Sequence, residues 1–142
     1  MKTREFLENL PDLLRQQLPE ELRDFQVTGP TASLIKLHYG QPTVHYEVWV
    51  RKRMKQVELG LHFEGDRESN AGNLDLLTRR REEIQSALGS EVEIGPWDKG
   101  WTRAHETLAL EPMNLDFLVE VSFRLSGMIR TLEPILRDGS PD

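Results

Sequence analysis

Three consecutive segments between residues 33 and 64 alternate apolar and polar side chains, and this alternation constrains the fold more than any other feature. Successive side chains of a β-strand point to opposite faces of a sheet, so a period of two predicts strands that bury one face only. The predicted strands cover about 33–39, 43–51 and 56–64. The short connections between them favour antiparallel hairpins, and the three strands therefore form a meander.

The alternation also predicts how these strands pair. Pairing Arg51 with Gln56, and Tyr39 with Val44, turns the alternating apolar side chains of all three strands to one face. The opposite face then carries a row of three histidines, which are His38, His45 and His62.

The histidine row has three possible roles. Carboxylates on the same face lie one diagonal position away from it. Zinc or another divalent ion needs three or four nitrogen or oxygen ligands at about 2.0–2.2 Å, which imidazoles and carboxylates on adjacent strands can supply. The same groups suit a pH-sensitive contact surface, or a solvated polar face without a ligand. The candidate metal or pH-sensing residues are His38, His45, His62, Glu47 and Glu64. A fourth histidine, His105, is predicted to be a lone surface or hydrogen-bonded residue.

The segments on either side of the meander follow the helical period. Leucines at steps of three or four residues predict a first helix at about 4–24, kinked or divided at Pro11 and Pro19. A second helix is predicted at about 73–88 with Asn73 as its N-cap, and a third at about 114–137 after Asn114.

With two further short strands at about 92–94 and 102–110, the order α-β-β-β-α-β-β-α predicts an α+β fold. In this fold an antiparallel sheet has helices packed mainly on one face. We expect a single domain over 1–142, made of helix 1 at about 4–24, the sheet and helix 2 at about 33–110, and helix 3 at about 114–137. Only 66–72 and 138–142 are expected to be mobile.

Charge and composition exclude several classes of protein. The chain has 18 Lys and Arg against 24 Asp and Glu, a net charge of −6, and it has no cysteine. A disulfide framework, a zinc–thiolate site and a cysteine nucleophile are therefore excluded. No apolar run approaches the ~18–20 residues of a membrane span, and the charged start lacks the apolar core of a signal peptide. We expect a cytoplasmic protein without membrane contact.

The third predicted helix is apolar around most of its circumference, which is typical of a helix at the centre of a core or at an oligomer interface. A homodimer is therefore expected. Leu34 and Trp49 are large apolar residues that project to the polar face, where either the protein itself or a partner covers them. The candidate partner or dimer contacts are Val119, Val121, Phe123, Leu125, Leu34 and Trp49.

Two further patterns raise possible binding roles. The second hairpin tip carries Arg51, Lys52, Arg53 and Lys55, which are candidate phosphate contacts. The acidic balance of the chain and the lack of interleaved aromatic residues argue against nucleic-acid binding by this chain alone. A loop containing Trp97 and Trp101 either cradles a ligand or, as we favour, plugs the end of the core.

No sequence motif of catalysis is present. The chain lacks a P-loop and the GxGxxG, HExxH and GxSxG patterns, and its paired glutamates have the spacing of exposed positions. We therefore predict no catalytic residue and no cofactor.

The segment 80–89, RREEIQSALG, is followed by Val92, Trp97 and a strand that leads into the long C-terminal helix. Over about 43–137 this arrangement resembles an uncharacterised bacterial domain often found beside restriction-nuclease-like domains. That resemblance implies no activity, and this chain contains no nuclease-like partner domain. The order of elements is also similar to that of small acidic secretion-chaperone dimers, which is an analogy of fold alone.

These patterns favour a non-catalytic interaction module, a homodimer that holds a protein or peptide partner. One alternative is an accessory domain that acts near nucleic acid through the basic hairpin. Another is a small metal- or ligand-binding enzyme that uses the histidine row.

Overall fold

The computed structural model describes residues 1–139 and has an α+β architecture. Two short 3-10 turns, Glu20–Leu22 and Lys52–Met54, accompany the main elements. The helices are α1 Thr3–Gln17, α2 Arg67–Arg79, α3 Arg81–Leu88 and α4 Leu115–Gly139. The strands are β1 Gln26–Thr28, β2 Leu34–His38, β3 Val44–Arg51, β4 Gln56–Phe63, β5 Glu93–Pro96 and β6 Thr102–Ala109.

The six strands form one antiparallel sheet in the order β1-β2-β3-β4-β6-β5. The predicted registers of both hairpins are confirmed, because Arg51 pairs with Gln56 and Ile35 pairs with Val48. β1 was not predicted from the sequence. Its residues are all exposed, so it has no apolar alternation by which to recognise a strand.

The apolar face of the sheet packs against the helices in one continuous core. α1 buries Leu7, Leu10 and Leu14, and the amphipathic stripe continues beyond its end at Gln17 to the buried Leu22. The first helix is therefore shorter than the predicted 4–24. Leu18, just before Pro19, is extended, because the proline ring disfavours helical geometry in the preceding residue.

The second predicted helix is wrong in two respects. It begins at Arg67, and Asp66 is its N-cap, since the Asp66 carboxylate accepts a hydrogen bond from the Ser69 backbone N–H at 2.8 Å. Residues 66–72 are consequently the cap and first turns of α2, not a mobile segment. The helix is also divided at Arg80, which separates α2 from α3.

The third helix begins as predicted, because the Asn114 side chain accepts a hydrogen bond from the Phe117 N–H at 3.0 Å. It contains Asp138 and Gly139, which were predicted to be mobile, while 140–142 of that predicted mobile segment lie outside the described residues. Among residues 1–139, no helix is both long and apolar enough to cross a lipid bilayer.

Candidate metal centre

Two neighbouring strands bring four potential metal ligands together on the polar face. His45 lies opposite His62 in the β3–β4 ladder, and Glu47 lies two residues beyond His45 on the same face. Glu64 follows the end of β4 and is held there by a backbone hydrogen bond to Thr43. His45, Glu47, His62 and Glu64 are hereafter called the four-residue cluster.

The cluster is compact and largely shielded from solvent. The side chains of His45 and His62 are 3% and 1% exposed. The Nε2 atom of His45 lies 3.4 Å from Oε1 of Glu47 and 3.8 Å from Oε2 of Glu64. Each of the four residues offers one ligand atom, and these atoms all lie within 4.8 Å of one another.

The tautomer of His45 follows from a single contact. Its Nδ1 lies 3.0 Å from the Pro42 carbonyl oxygen, and because a carbonyl only accepts, Nδ1 must carry the hydrogen. In the neutral ring the lone pair is then on Nε2. That atom is buried and, within residues 1–139, has no hydrogen-bond partner. In the neutral ring a buried lone pair therefore faces two carboxylates, and in the protonated ring Nε2–H points its positive charge toward Glu47.

His62 is oriented in a similar way. Its Nδ1 lies 3.1 Å from Oε2 of Glu64, and its Nε2 lies 3.9 Å from the other oxygen of Glu47. The two imidazole rings are stacked, with centroids 5.4 Å apart and planes 11° apart. A hydrogen bond from the distal nitrogen to a group outside the ligand set commonly fixes the orientation of a metal-binding histidine. His45 has such a bond to Pro42, whereas the acceptor for His62 is Glu64, a member of the cluster.

Both carboxyl groups of the cluster are held as anions. Burial alone would raise the pKa of Glu47, but contact with His45 and the charge of His62 outweigh it and lower that pKa. Burial likewise opposes the shift at Glu64, whose pKa is lowered by His62, by His45 and, to a smaller extent, by Lys36. The cluster therefore combines two carboxylates with two imidazoles.

No protein-family model and no curated protein matches this chain. Its function therefore has to be inferred from its own geometry. On the polar face, the buried atoms without a hydrogen-bond partner within residues 1–139 are His45 Nε2, Glu58 Oε2 and His105 Nδ1. Of these, His45 Nε2 belongs to the four-residue cluster and lies between two carboxylates.

The surroundings of the cluster include Trp97, predicted as part of a ligand loop or core plug, and Arg103 and Glu58, which the sequence analysis did not single out. Trp97 stands edge-on to His62 at 5.8 Å between ring centroids, and the Arg103 guanidinium lies 4.0 Å above Trp97. Arg103 in turn pairs with buried Glu58 at 2.9 Å. The alternation of β6 places Arg103 and His105 on this face. The register between β4 and β6 would therefore have predicted that both residues lie beside the cluster.

Glycine is required at the centre of this face. Gly60 lies between Glu47 of β3 and His105 of β6. A Cβ atom at residue 60 would lie 2.9 Å from Cβ of His105 and 3.3 Å from Nε2 of His62. The missing side chain leaves the space into which His62 leans.

Of the predicted histidine row, only two members enter the cluster. His38 lies on β2, where it pairs with Gln26 of β1, and it is not part of the cluster. His105, predicted to be a lone surface or hydrogen-bonded residue, is instead largely buried, and its Nδ1 has no hydrogen-bond partner within residues 1–139. Its Nε2 lies 3.7 Å from Glu58 and 3.6 Å from Glu93, and burial, together with the charge of Arg103, lowers its pKa.

Two predicted partner contacts are wrong. Val121 and Leu125 are fully buried in the chain's own core, because α4 packs against three helices and β4. Val119 and Phe123 do face solvent, at 44% and 63% exposure.

The remaining candidates lie at two separate places. Leu34 pairs with Trp49, as predicted, and the Arg51 guanidinium covers the Trp49 ring at 4.3 Å. Lys52 and Arg53 lie in the exposed 3-10 turn before Lys55.

Neither Trp97 nor Trp101 plugs the core. Trp97 is exposed beside the cluster, and Trp101 is half-buried near Lys99.

Proposed function

We propose that the protein binds a divalent transition-metal ion, best suited to zinc, through His45, Glu47, His62 and Glu64. The observation that carries this proposal is the buried, unpartnered Nε2 of His45, which faces carboxylate oxygens at 3.4 and 3.8 Å. In metal-free protein the two carboxylates are compensated only when an imidazole of the cluster is protonated, and a bound cation would take the place of that proton.

The donor spacing suits one shared ion. Four donors at about 2.1 Å from a tetrahedral ion lie about 3.4 Å from one another. Three separations in the cluster are 3.4, 3.8 and 3.9 Å, the first and last to different oxygens of Glu47, and the four donors all lie within 4.8 Å of one another. The side chains would therefore have to draw closer together around a bound ion. Two imidazoles favour zinc and its neighbours over magnesium and calcium, which prefer oxygen donors alone.

The site would have the full set of protein ligands that is typical of structural zinc sites. All four donors come from the protein, whereas a catalytic zinc ion keeps one position open for water or substrate. The most accessible of the four side chains, that of Glu64, is 15% exposed. A metal ion here would join β3 to the end of β4 and stabilise the polar face, which agrees with a non-catalytic binding module.

The test is calorimetric titration of zinc into chelator-treated protein without an affinity tag. We expect one ion per chain in the parent and at least a tenfold loss of affinity in His45→Ala, since even loss of an outer-shell partner costs about 10–100-fold. His38→Ala is the matched control, because His38 lies on the next strand outside the cluster. Glu47→Gln, which keeps the side-chain volume, is a second test should His45→Ala unfold. Equal affinity in parent, His45→Ala and Glu47→Gln would refute the proposal.

We propose as a second function that the chain forms a homodimer through α4. Leu115, Val119 and Phe123, four residues apart, form an exposed apolar stripe, with Leu115 64% exposed. An acidic and a basic residue lie at equal distances along the helix on either side of Phe123. Asp116 and Arg130 each lie seven positions from it, so an antiparallel pair of α4 helices crossing at Phe123 places each Asp116 opposite Arg130 of the second copy.

Neither Asp116 nor Arg130 forms an ion pair within residues 1–139. Sedimentation equilibrium tests this dimer by charge exchange. Asp116→Arg should weaken association by placing like charges opposite each other, and the double variant Asp116→Arg with Arg130→Asp should restore it. A parent that is monomeric at all concentrations would exclude the dimer, and association that Asp116→Arg leaves unchanged would exclude this geometry.

A further inference from the structure

A cleft of about 660 Å³ lies at the end of the sheet where β3 enters the second hairpin, apart from the four-residue cluster. Its size is within the range of small-molecule sites, about 300–1,000 Å³. Its walls include Thr3, Trp49, Arg51, Lys52, Arg53 and Met54. This set is hereafter called the basic cleft.

The basic cleft is cationic in a chain of net negative charge. Arg51, Lys52 and Arg53 form no ion pair within the described residues, and no carboxylate lines the cleft. In contrast, Arg103 and Arg124 each pair with a glutamate. Three unpaired cations around one concavity attract and retain an anion.

The cleft also has an aromatic wall, which was not evident from the sequence. The Arg51 guanidinium is stacked over Trp49 at 4.3 Å, which fixes its plane while its edge N–H groups remain available for a phosphate. Met54, an apolar side chain that is 53% exposed, lines the same cleft. A ligand that satisfies both features carries a phosphate and a flat ring.

The inner wall contains a polar atom without a partner. Thr3 is 5% exposed, and its buried hydroxyl makes no hydrogen bond within residues 1–139. Because this oxygen is enclosed by protein atoms, it destabilises the fold and does not contact a ligand in the cleft.

We infer that the basic cleft binds a nucleotide, with the phosphate at the edge N–H groups of Arg51 and at Arg53, and the base against Met54 and the Arg51–Trp49 stack. This inference is independent of the proposed metal site. A free nucleotide and a nucleotide within a single strand both carry a phosphate and a base. Adenosine diphosphate and a short dT strand distinguish these two sources.

The experiment uses the full chain in chelating buffer, so that nucleotide-bound metal and the four-residue cluster do not contribute. Adenosine diphosphate is titrated by calorimetry, a fluorescently labelled twelve-nucleotide dT strand by anisotropy, and inorganic phosphate serves as the probe without a ring. Binding of the diphosphate identifies a free nucleotide as the ligand. Binding of the strand alone identifies single-stranded nucleic acid.

The variants distinguish the cleft from general attraction. We expect Arg53→Glu and Trp49→Leu each to lower the affinity about tenfold or more, through loss of a charge-assisted contact and of a stacking wall. Lys55→Glu makes the same charge change in the same hairpin but outside the cleft lining, and it should have a smaller effect. Three results would overturn the inference: no binding of either probe, equal binding of inorganic phosphate, or equal losses in Arg53→Glu and Lys55→Glu.

Discussion

Replacement of Gly60 by alanine tests the packing of the polar face directly. The added Cβ would lie 2.9 Å from Cβ of His105 and 3.0 Å from the Ala104 carbonyl oxygen, and neither atom is at the flexible end of a side chain. Overpacking of this kind costs about 1–3 kcal/mol. Alanine recovers about 0.5–1 kcal/mol relative to glycine through chain entropy, so the net loss should be about 1.3 kcal/mol at mid-range and no more than about 2.5 kcal/mol.

The matched control is Gly95→Ala, in the neighbouring strand β5, where an added Cβ meets nothing within 4 Å. We expect this control to be neutral or slightly stabilising. For a chain of this size, 1 kcal/mol changes Tm by about 3 °C, so Gly60→Ala should melt about 4 °C below the parent and no more than about 7 °C below it.

Urea denaturation and calorimetry measure the loss, and zinc titration measures its effect on the cluster. Because the new Cβ would lie 3.3 Å from Nε2 of His62, Gly60→Ala should also bind zinc more weakly than Gly95→Ala. If Gly60→Ala is as stable as the parent and binds zinc equally well, the proposed role of the missing side chain is wrong.

Three further outcomes follow from the same geometry. The pKa values of Glu47 and Glu64 are lowered in the folded chain, so their contribution to stability is fully present above about pH 4.5 and is lost as the pH falls through the folded values. Urea titrations of metal-free protein should show this loss, and it should be smaller when both residues are replaced by glutamine. Protons compete with the ion for the imidazoles, so zinc affinity should fall as the pH is lowered from about 7.5 to about 5.5, whereas a pH-independent affinity would contradict histidine ligation. Tyr46→Phe removes the hydroxyl that donates to buried Glu133 at 3.1 Å and should lower the free energy of unfolding by about 1.5–3 kcal/mol, and an unchanged urea midpoint would show that this bond contributes nothing.

The sequence determined the pairing of the central strands because only one register turns all their apolar side chains to the buried face. A slip by one residue would turn every apolar side chain of β3 or β4 to solvent. The pairing of His45 with His62, and the position of Glu47 beside them, followed from that register before any coordinates. The start of α4 was equally local, since Asn114 caps the helix with its own side chain.

Side-chain direction was decided only by tertiary structure. His38 lies on the strand beside His45, but the bond from His45 Nδ1 to Pro42 and the stack on His62 turn the His45 ring toward β4. Strand register places Cβ atoms and leaves the side-chain rotamer open. The sequence therefore predicted the histidine row without distinguishing which of its members form the cluster.

Burial of α4 was likewise a tertiary property. An apolar circumference indicates only that something covers the helix, and Val121 and Leu125 are covered by the chain itself. The stack of Arg51 on Trp49 also required the folded end of the sheet, because alternation gives the face of a strand and not the direction of a long side chain. Local periodicity determines which face a residue occupies, and packing from distant parts of the chain determines what that residue meets there.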